Sequence, residues 1–466
     1  MGAKLLVRSY NVGCGDCIYV RIPDPNRDDF HILIDCGSKE GASTGVMKRA
    51  IKHIEDNMLP DENSKKRLDL IVVTHRHEDH IKGFNPSFFK NMVIKNIWLT
   101  GAMNEDHPQA KNTRALHQHA TNQMRALARS RVALSPELRD LVALYGVRND
   151  KATTALTETL PKNNDIKPTF VFAGQDSDDH GISVPNTKIY VLAPEHDIDG
   201  FYLGEETVRS ISAMSPGGTT APRTQRKESK KSPKNISTAE FRNLQTRMLS
   251  NALAFAVDDS SIQNNVSTVL LIEWGKRRLL FVGDAEWKSE FKRGKKNGSW
   301  NVMWHERKAL LDKPIDFLKV GHHGSQNATP WNRHADDQHE VNQILNAILP
   351  LPAGRKKPTA QCIVSTKRKQ YDTIPDGELL VELGRRLASR KNYLKAFKKQ
   401  RGFDPESEIF NYSKMKEYSS QPSPREVGDK GWLNKPQPLR TDMESEGKGS
   451  KNMIGKVEFI DVEIDA

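Results

Sequence analysis

The sequence predicts a mixed α/β protein with a functional site at one edge of a sheet. Short β-rich segments fill the first hundred residues, a helical pattern follows, and further short strands come after residue 168. Residues 69–74 (DLIVVT) form a short apolar run, which is typical of a strand buried on both faces. Metal-binding side chains directly follow this strand and two later strands, and open α/β sheets place their sites at such strand ends.

The composition indicates a globular core with long solvated insertions. Of the 466 residues, 36% are hydrophobic and 28% are charged, which is polar for a globular chain. The sequence holds no apolar run of membrane-spanning length, and its first residues lead into a strand pattern without a secretory signal. Four cysteines are too few for a disulfide scaffold. We therefore expect a cytoplasmic protein that does not enter a membrane.

Basic residues outnumber acidic ones, 71 against 59, which gives a formal net charge of +12. The excess lies in two segments: residues 354–401 hold 14 basic and 4 acidic residues, and residues 221–234 hold 6 and 1. Such segments suit a nucleic acid partner, although a generic solvated surface accounts for the charge alone equally well. The candidate nucleic-acid-binding residues are Lys227, Lys230, Lys231, Arg355, Lys356, Lys357, Lys367, Arg368 and Lys369.

The elements of the first half follow from local composition. β-rich runs bounded by turn residues predict strands at 5–8, 17–22, 30–34, 69–74 and 94–99. Alanine, leucine and arginine at helical spacing predict a helical insertion at about 104–165. Strands return at 168–173 and 188–192, and a Ser-, Pro-, Gly- and Lys-rich stretch predicts a basic, mobile insertion at about 198–250.

The second half repeats the alternation. Strands are predicted at 267–274, 278–282, 317–320 and 361–365. A basic amphipathic helix is predicted at about 376–399, a loop-like insertion at 402–451 and a closing strand at 456–464. We expect residues 1–466 to form a single domain with these insertions.

The strongest chemical signal is the sequence HRHEDH at residues 75–80, which follows the buried strand. It supplies His75, His77, Asp79 and His80 within six residues. Imidazole and carboxylate are the ligands that zinc-like divalent ions prefer. A loop that turns back on itself can aim the first two histidines at one metal and the Asp-His pair at a neighbouring metal. A surface loop that holds three histidines by chance is the weaker explanation.

Two later strands end on side chains of the same type. Asp284 follows the apolar run LLFVG, and a carboxylate at that place can bridge two cations. His322 and His323 follow the strand at 317–320. Three strand ends with such side chains predict one shared site.

This set of motifs resembles that of the metallo-β-lactamase superfamily, and more closely the soluble hydrolase domain of ComEC-type competence proteins. HRHEDH matches the HxHxDH signature, and other stretches match in order: residues 11–16 (NVGCGD), 33–38 (LIDCGS), 264–267 (NNVS), 282–284 (VGD) and 321–325 (GHHGS). The resemblance implies an αββα sandwich, here with helical and basic loop insertions. It also implies a site for two divalent ions, zinc or manganese.

The same resemblance implies a role for each matching residue. His75 and His77 would hold the first metal, Asp79, His80 and His323 the second, and Asp284 would bridge the two. His322 would act in proton transfer or lie just outside the ligands, while Asp16 and Asp35 would orient ligand imidazoles. The superfamily usually has a third histidine on the first metal, and His196 is the only well-placed candidate. A loop histidine without a role explains His196 at least as well.

The expected activity is metal-dependent hydrolysis. Two metal ions roughly 3.5–4 Å apart lower the pKa of a bridging water and neutralise charge on a phosphoryl or acyl oxygen. The predicted nucleophile is a hydroxide held near Asp79 and Asp284. With the basic segments, this chemistry favours a nuclease or phosphodiesterase acting on nucleic acid. The alternatives are hydrolysis of a small phosphodiester or ester, and a role as a subunit whose basic segments dock a partner protein.

Overall fold

Two β-sheets packed face to face form the centre of the structure. The structure is a computed structural model that describes residues 3–39, 45–129, 141–142, 144–145, 147–214, 253–352, 358–366, 374–387 and 459–466. The strands are β1 (Lys4–Tyr10), β2 (Cys17–Ile22), β3 (Phe30–Cys36), β4 (Asp61–Glu62), β5 (Lys65–Leu68), β6 (Leu70–Val73), β7 (Met92–Ile94), β8 (Ile97–Thr100), β9 (Thr169–Val171), β10 (Thr187–Ala193), β11 (Val269–Trp274), β12 (Arg277–Phe281), β13 (Phe317–Val320), β14 (Gln361–Val364) and β15 (Phe459–Asp465).

Helices cover the outer faces of both sheets and fill the connections. They are α1 (Val46–Asn57), α2 (Glu78–Ile81), α3 (Lys111–Arg129), α4 (Val147–Thr154), α5 (Leu160–Asn163), α6 (Glu205–Met214), α7 (253–265), α8 (Ser299–Leu311), α9 (Glu340–Ile348) and α10 (Gly377–Arg386). None of the helices in the described part of the chain has the length and apolarity needed to cross a lipid bilayer.

The first sheet has seven strands in the order β15-β1-β2-β3-β6-β8-β9. Its half from β3 to β9 is parallel, and β15, β1, β2 and β3 pair antiparallel with one another. All four residues of β6 (LIVV) are buried, as expected for a parallel strand covered on both faces. The chain therefore leaves β6 at a protected edge, where the HRHEDH loop begins.

The second sheet has five strands in the order β10-β11-β12-β13-β14. The central pair, β12 and β13, is parallel, so both strands end at the same edge of the sheet. A small third sheet, β4-β5-β7, lies outside these two. The parallel pair is what brings residues near 284 and 323 to one place.

Three apolar clusters define four layers. The inner faces of the sheets share one cluster, with Val7 and Ile32 from the first sheet and Leu270 and Phe281 from the second. The outer face of the first sheet packs against α1, whose buried residues recur at helical spacing. The outer face of the second sheet packs against α8, α9 and α10. The predicted α/β class is confirmed, and the order helix, sheet, sheet, helix agrees with the αββα sandwich.

One predicted strand is wrong. Residues 94–99 do not form a single strand, because the chain changes sheets at Lys95 and Asn96. The Lys95 amide donates to the Leu68 carbonyl oxygen, and the Asn96 side chain donates to the Asp69 carbonyl oxygen. The two polar residues Lys95 and Asn96 mark the break between the apolar runs MVI and IWL, which are buried in different sheets.

The insertions are described in part. The predicted helical insertion contains α3, α4 and α5. The first residues of the predicted mobile insertion are ordered: Asp199–Leu203 forms a π-helical turn, α6 follows, and Tyr202 and Leu203 are buried. Residues 215–250, 388–399 and 402–451 lie outside the described residues, and the single-domain organisation stays a prediction. The closing strand is β15, which pairs with β1.

Candidate metal centre

The ends of β6, β12 and β13 meet at one edge of the sandwich. Gly283 allows this meeting, because its φ of 53° is left-handed and a Cβ there would lie 2.8 Å from Thr74 Cβ. Only glycine lets the loop after β12 approach the end of β6 so closely. The approach brings Asp284 to the histidine loop.

Asp284 joins two histidines of that loop. Its Oδ2 lies 3.6 Å from His75 Nε2, and its Oδ1 lies 3.2 Å from His80 Nε2. The three side chains are buried and form a group that could hold a metal ion. A carboxylate with one oxygen towards each of two histidines has the arrangement expected of a bridging ligand.

A second group shares His80. It consists of Asp79, His80 and His323, and His323 Nε2 lies 3.0 Å from Asp79 Oδ2. The other ring nitrogen of His323 lies 2.8 Å from the Ser365 carbonyl oxygen, so the ring is fixed from behind. The structure thus brings together the three residues assigned to the second metal.

His322 lies beside the ligands. Its backbone N–H donates to Asp284 Oδ1 at 3.0 Å, and its side chain is partly exposed. Its Nδ1 lies 3.1 Å from Ser325 Oγ and 3.5 Å from Glu286 Oε1. Of the two neighbouring histidines, only His323 belongs to a possible ligand group among the described residues.

The ligand set expected for the first metal is less complete. His77 Nδ1 lies 3.0 Å from His75 Nε2, but His77 joins no group of three possible ligands in the described chain. His196 is exposed and packs elsewhere, with ring centroids 4.5 Å from His107 and 4.7 Å from Phe172. The structure therefore does not bring His196 to the cluster, because the residues after β10 direct it into this separate aromatic group.

Buried atoms without partners test whether these residues fit metal ions. Asp79 Oδ1 is buried and makes no hydrogen bond within the described chain. His80 Nε2 is also buried, and although Asp284 Oδ1 lies 3.2 Å away, the angle between them does not form a hydrogen bond. Leaving such atoms unsatisfied is costly, and native proteins rarely do so without a ligand. The orphaned atoms are one carboxylate oxygen and one imidazole nitrogen of the cluster itself. The residues present fit a divalent ion.

The protonation of the site differs between its histidines. Burial lowers the pKa of His75 well below its usual value and that of His77 to about 4, so both imidazoles are neutral at pH 7. Burial opposes ionisation of Asp79 and Asp284, but Lys39 and His80 respectively, with other nearby groups, outweigh it and lower both pKa values. Burial also opposes protonation of His80 and His323, but Asp284 and Asp35 raise the pKa of His80, and Cys14 and Asp79 raise that of His323. A metal ion must therefore displace a proton from these two rings, since neutral imidazoles and ionised carboxylates are the forms that bind divalent ions.

Two carboxylates lie behind the ligands, and of these Asp35 contacts His80 directly. Asp35 Oδ2 lies 2.8 Å from His80 Nδ1, and its carboxylate also accepts hydrogen bonds from the Thr74 amide at 2.8 Å and hydroxyl at 2.6 Å. Asp16 Oδ2 lies 3.9 Å from His80 Nδ1 and 3.0 Å from Lys319 Nζ. Asp35 fixes the ring so that Nε2 is the nitrogen left for a metal.

Three contributors were not singled out from the sequence. Lys319 is buried and pairs with Asp16, Lys39 Nζ lies 3.2 Å from Asp79 Oδ2, and Thr74 bonds to Asp35. A lysine inside the otherwise apolar strand FLKV was a usable signal, since a buried lysine requires an anionic partner. Lys39 gave no such signal. The nine candidate nucleic-acid-binding residues, from Lys227 to Lys369, all lie outside the described residues.

No protein-family model matches the sequence, and no curated protein matches it. Solved structures that resemble the fold include a mutant of the CmlA beta-hydroxylase, at 12% identity and a TM-score of 0.32, over 81% of this chain and 50% of that chain. A protein of unknown function from Enterococcus faecalis V583 aligns at 11% identity and a TM-score of 0.28. The alignment covers 68% of this chain and 50% of that chain. The metallo-beta-lactamase fold protein YhfI from Bacillus subtilis aligns at 10% identity and a TM-score of 0.28. The alignment covers 78% of this chain and 88% of that chain.

The chain spans about half the length of the first two of these structures. The chemistry of the site follows from its own residues and not from these similarities.

Proposed function

We propose that the protein is a metal-dependent hydrolase that cleaves phosphodiester bonds of nucleic acid. The observation that carries the proposal is the convergence of His75, Asp79, His80, Asp284 and His323 from three strand ends, with orphaned atoms on two of them. Buried polar atoms without hydrogen bonds are costly, and holding cations is the task that this donor set fits.

The residues divide the work. His75, His77, Asp79, His80 and His323 would hold two divalent ions, with Asp284 between them. When bound, such ions supply a water of lowered pKa and neutralise developing charge on a phosphoryl oxygen. Imidazole and carboxylate donors suit both zinc and manganese. The relationship to ComEC-type hydrolase domains stays a prediction.

A proton must also reach the leaving oxygen. His322 is partly exposed beside Asp284, and its Nδ1 is held near Ser325 and Glu286. This leaves Nε2 to give a proton to the leaving group. Glu286 is itself fixed by hydrogen bonds from Asn264 at 3.0 Å and Asn265 at 2.9 Å, so it holds the imidazole in place.

A basic loop after Asp284 supports a polyanionic substrate. Residues 288–296 hold five basic residues and one acidic residue, and two of the basic ones, Lys295 and Lys296, pair with Glu206 and Asp258. Phosphate contacts by several basic side chains give salt-dependent binding that does not depend on sequence. The four cysteines are free and buried, which agrees with the proposed cytoplasmic location.

The test is a cleavage assay with single- and double-stranded DNA and RNA, with manganese, zinc or magnesium, and with a chelator as the blank. Elemental analysis of the purified protein identifies the bound metal. The variant carrying Asp79→Ala and His80→Ala loses cleavage, and His196→Ala, a matched histidine change outside the cluster, keeps it. Turnover of a small chromogenic phosphodiester alone would indicate a small-ester hydrolase. Absence of both activities in metal-loaded protein that co-purifies with another protein would indicate a subunit role and overturn the proposal.

A further inference from the structure

A polar cavity opens beside the loop that carries residues 75–80. It has a volume of about 610 Å³ and lies between α3 and residues 144–154. Arg76, which stands between His75 and His77, lines it from the side of the loop. The cavity contains none of the proposed metal ligands.

Arg76 brings an unsatisfied donor to this cavity. Its Nη2 donates to the Ala102 carbonyl oxygen at 3.0 Å. Its Nε is buried, and no acceptor among the described residues bonds to it. A buried guanidinium nitrogen without an acceptor is costly, so the arrangement favours a ligand that supplies one.

Arg114 presents a second partly used guanidinium. Its Nη1 donates to the His107 carbonyl oxygen. Its other nitrogens bond to nothing else within the described ranges, and Arg114 lines the same cavity. Arg125 differs, because its Nε donates to the Tyr145 carbonyl oxygen and its Nη2 pairs with Asp150 at 2.5 Å.

The nearest buried acid does not neutralise these arginines by direct contact. Asp259 is buried, and its carboxylate is engaged by His117 at 2.8 Å, by the Tyr145 hydroxyl at 2.9 Å and by Gln263 at 3.1 Å. Glu105 also lines the cavity, but its side chain is exposed to solvent. Two arginines therefore remain without a carboxylate partner in the described part of the chain.

Most of the remaining wall is polar, although Ala102, Leu144 and the paired Asp150 also line it. Amide and hydroxyl side chains line it, including Gln118, Thr121, Asn122 and Thr153. Such groups exchange hydrogen bonds with hydroxyl-bearing molecules and bind apolar ones poorly. The volume is in the range of small-molecule sites.

We propose that this cavity binds a small, hydroxyl-bearing molecule through a phosphate group that accepts hydrogen bonds from Arg76 and Arg114. The planar donor fork of arginine matches phosphate geometry. Two guanidinium groups suit a doubly charged oxyanion better than a carboxylate, which one arginine satisfies. The proposal does not depend on the hydrolase activity.

The test is isothermal titration of the metal-loaded full chain with inorganic phosphate, glycerol 3-phosphate and succinate. We expect saturable binding of both phosphates, tighter for the ester because the polar wall contacts its hydroxyl groups. Arg114→Met weakens binding by about tenfold or more, since it removes a charged donor pair. Arg129→Met, an exposed arginine on the same helix that does not line the cavity, leaves binding unchanged.

A phosphate that binds instead at the metal centre is distinguished by Asp284→Asn. Cavity binding keeps its affinity in this variant and is weakened in Arg114→Met. Three outcomes would overturn the proposal. The first is loss of phosphate binding in Asp284→Asn but not in Arg114→Met, the second is tighter binding of succinate than of phosphate, and the third is the absence of saturable binding. Thermal melting of each variant shows that it is folded. Arg76→Lys keeps the positive charge but lacks the planar donor fork, and we expect it also to weaken phosphate binding.

Discussion

Strand β3 carries a buried histidine cluster at each end, and the two clusters differ in how their polar atoms are satisfied. At its start, His31 Nδ1 lies 2.6 Å from the Tyr19 hydroxyl, which also lies 3.2 Å from the Met58 carbonyl oxygen. The His31 backbone N–H donates to Asp69 Oδ2 at 2.9 Å. Each of these groups has a partner from the protein.

At the end of the strand, Asp35 contacts His80 and Thr74 in a similar way. This second cluster is not fully hydrogen-bonded, because His80 Nε2 and Asp79 Oδ1 are buried without a hydrogen bond in the described chain. A satisfied buried cluster stabilises a fold, whereas a half-satisfied cluster costs stability unless a ligand completes it. The comparison separates a structural histidine, His31 in β3, from His80, the proposed metal ligand that contacts the other end of this strand.

The largest expected effect is at the unsatisfied end. Asp284→Asn keeps the shape of the side chain but removes a shared negative charge. We expect metal-dependent cleavage to fall by more than about 100-fold, since loss of even an outer partner costs about 10–100-fold. The melting temperature of chelator-treated protein falls, because the ionised carboxylate that pairs with His80 is gone. A variant that retains its metal and activity would contradict the assignment.

The supporting carboxylate gives the next effect. Asp35→Asn weakens the hold on the His80 ring and lowers metal affinity by about 10–100-fold, as measured by competition with a chromogenic chelator. Asp69→Asn is the matched control at the other end of β3, and it leaves metal affinity unchanged. Equal losses in both variants would show that the two clusters do not differ in function.

Acid separates the clusters in a third way. Burial, together with the charges of Arg67 and Arg21, lowers the pKa of His31 from 6.5 to about 3. The unfolded chain binds a proton at His31 below about pH 6.5, and the folded chain does so only near pH 3. The contribution of His31 to stability is therefore complete above pH 6.5 and is lost as the pH falls towards 3, with about 2 kcal/mol lost at pH 5.

Urea unfolding at pH 7 and at pH 5 measures how much stability is lost between these two pH values. His31→Gln has a smaller loss of stability between the two pH values than the unmodified chain, and the exposed His334→Gln has the same loss. Identical slopes for all three chains would mean that His31 titrates normally.

The smallest effect is at the satisfied end. Tyr19→Phe removes one hydroxyl from the His31 cluster and lowers the free energy of unfolding by about 1 kcal/mol. Its metal content stays that of the unmodified chain, as elemental analysis checks. A loss of metal in this variant would show that the two ends of β3 are coupled.

Local chemistry made much of the site predictable. Asp284 and His323 each follow a short apolar strand directly, and strand ends of this kind gather at one edge of an α/β sheet. The strands Cys17–Ile22 and Phe317–Val320 have the predicted bounds, because turn residues or ligands flank them. These features could be predicted because residues close together in the sequence determine them.

The remainder depends on partners far along the chain. Lys319 meets Asp16 across 303 positions, and no local pattern shows that pairing. His196 follows a strand as a ligand would, yet its ring packs against His107 and Phe172. Arg76 lies inside the strongest motif, but only the packing of α3 against the loop shows the cavity that it lines.

The pairing of β1 with β15 bears on how the molecule is assembled during synthesis. Lys4 bonds to Glu463, 459 positions later. A nascent chain on the ribosome therefore has an open backbone edge on β1 until the last of these residues emerges from the exit tunnel. Unpaired edges invite association between chains, and such long-range closure is slow. Crowding of polysomes and access to chaperones should therefore govern how much of this protein a cell obtains in native form.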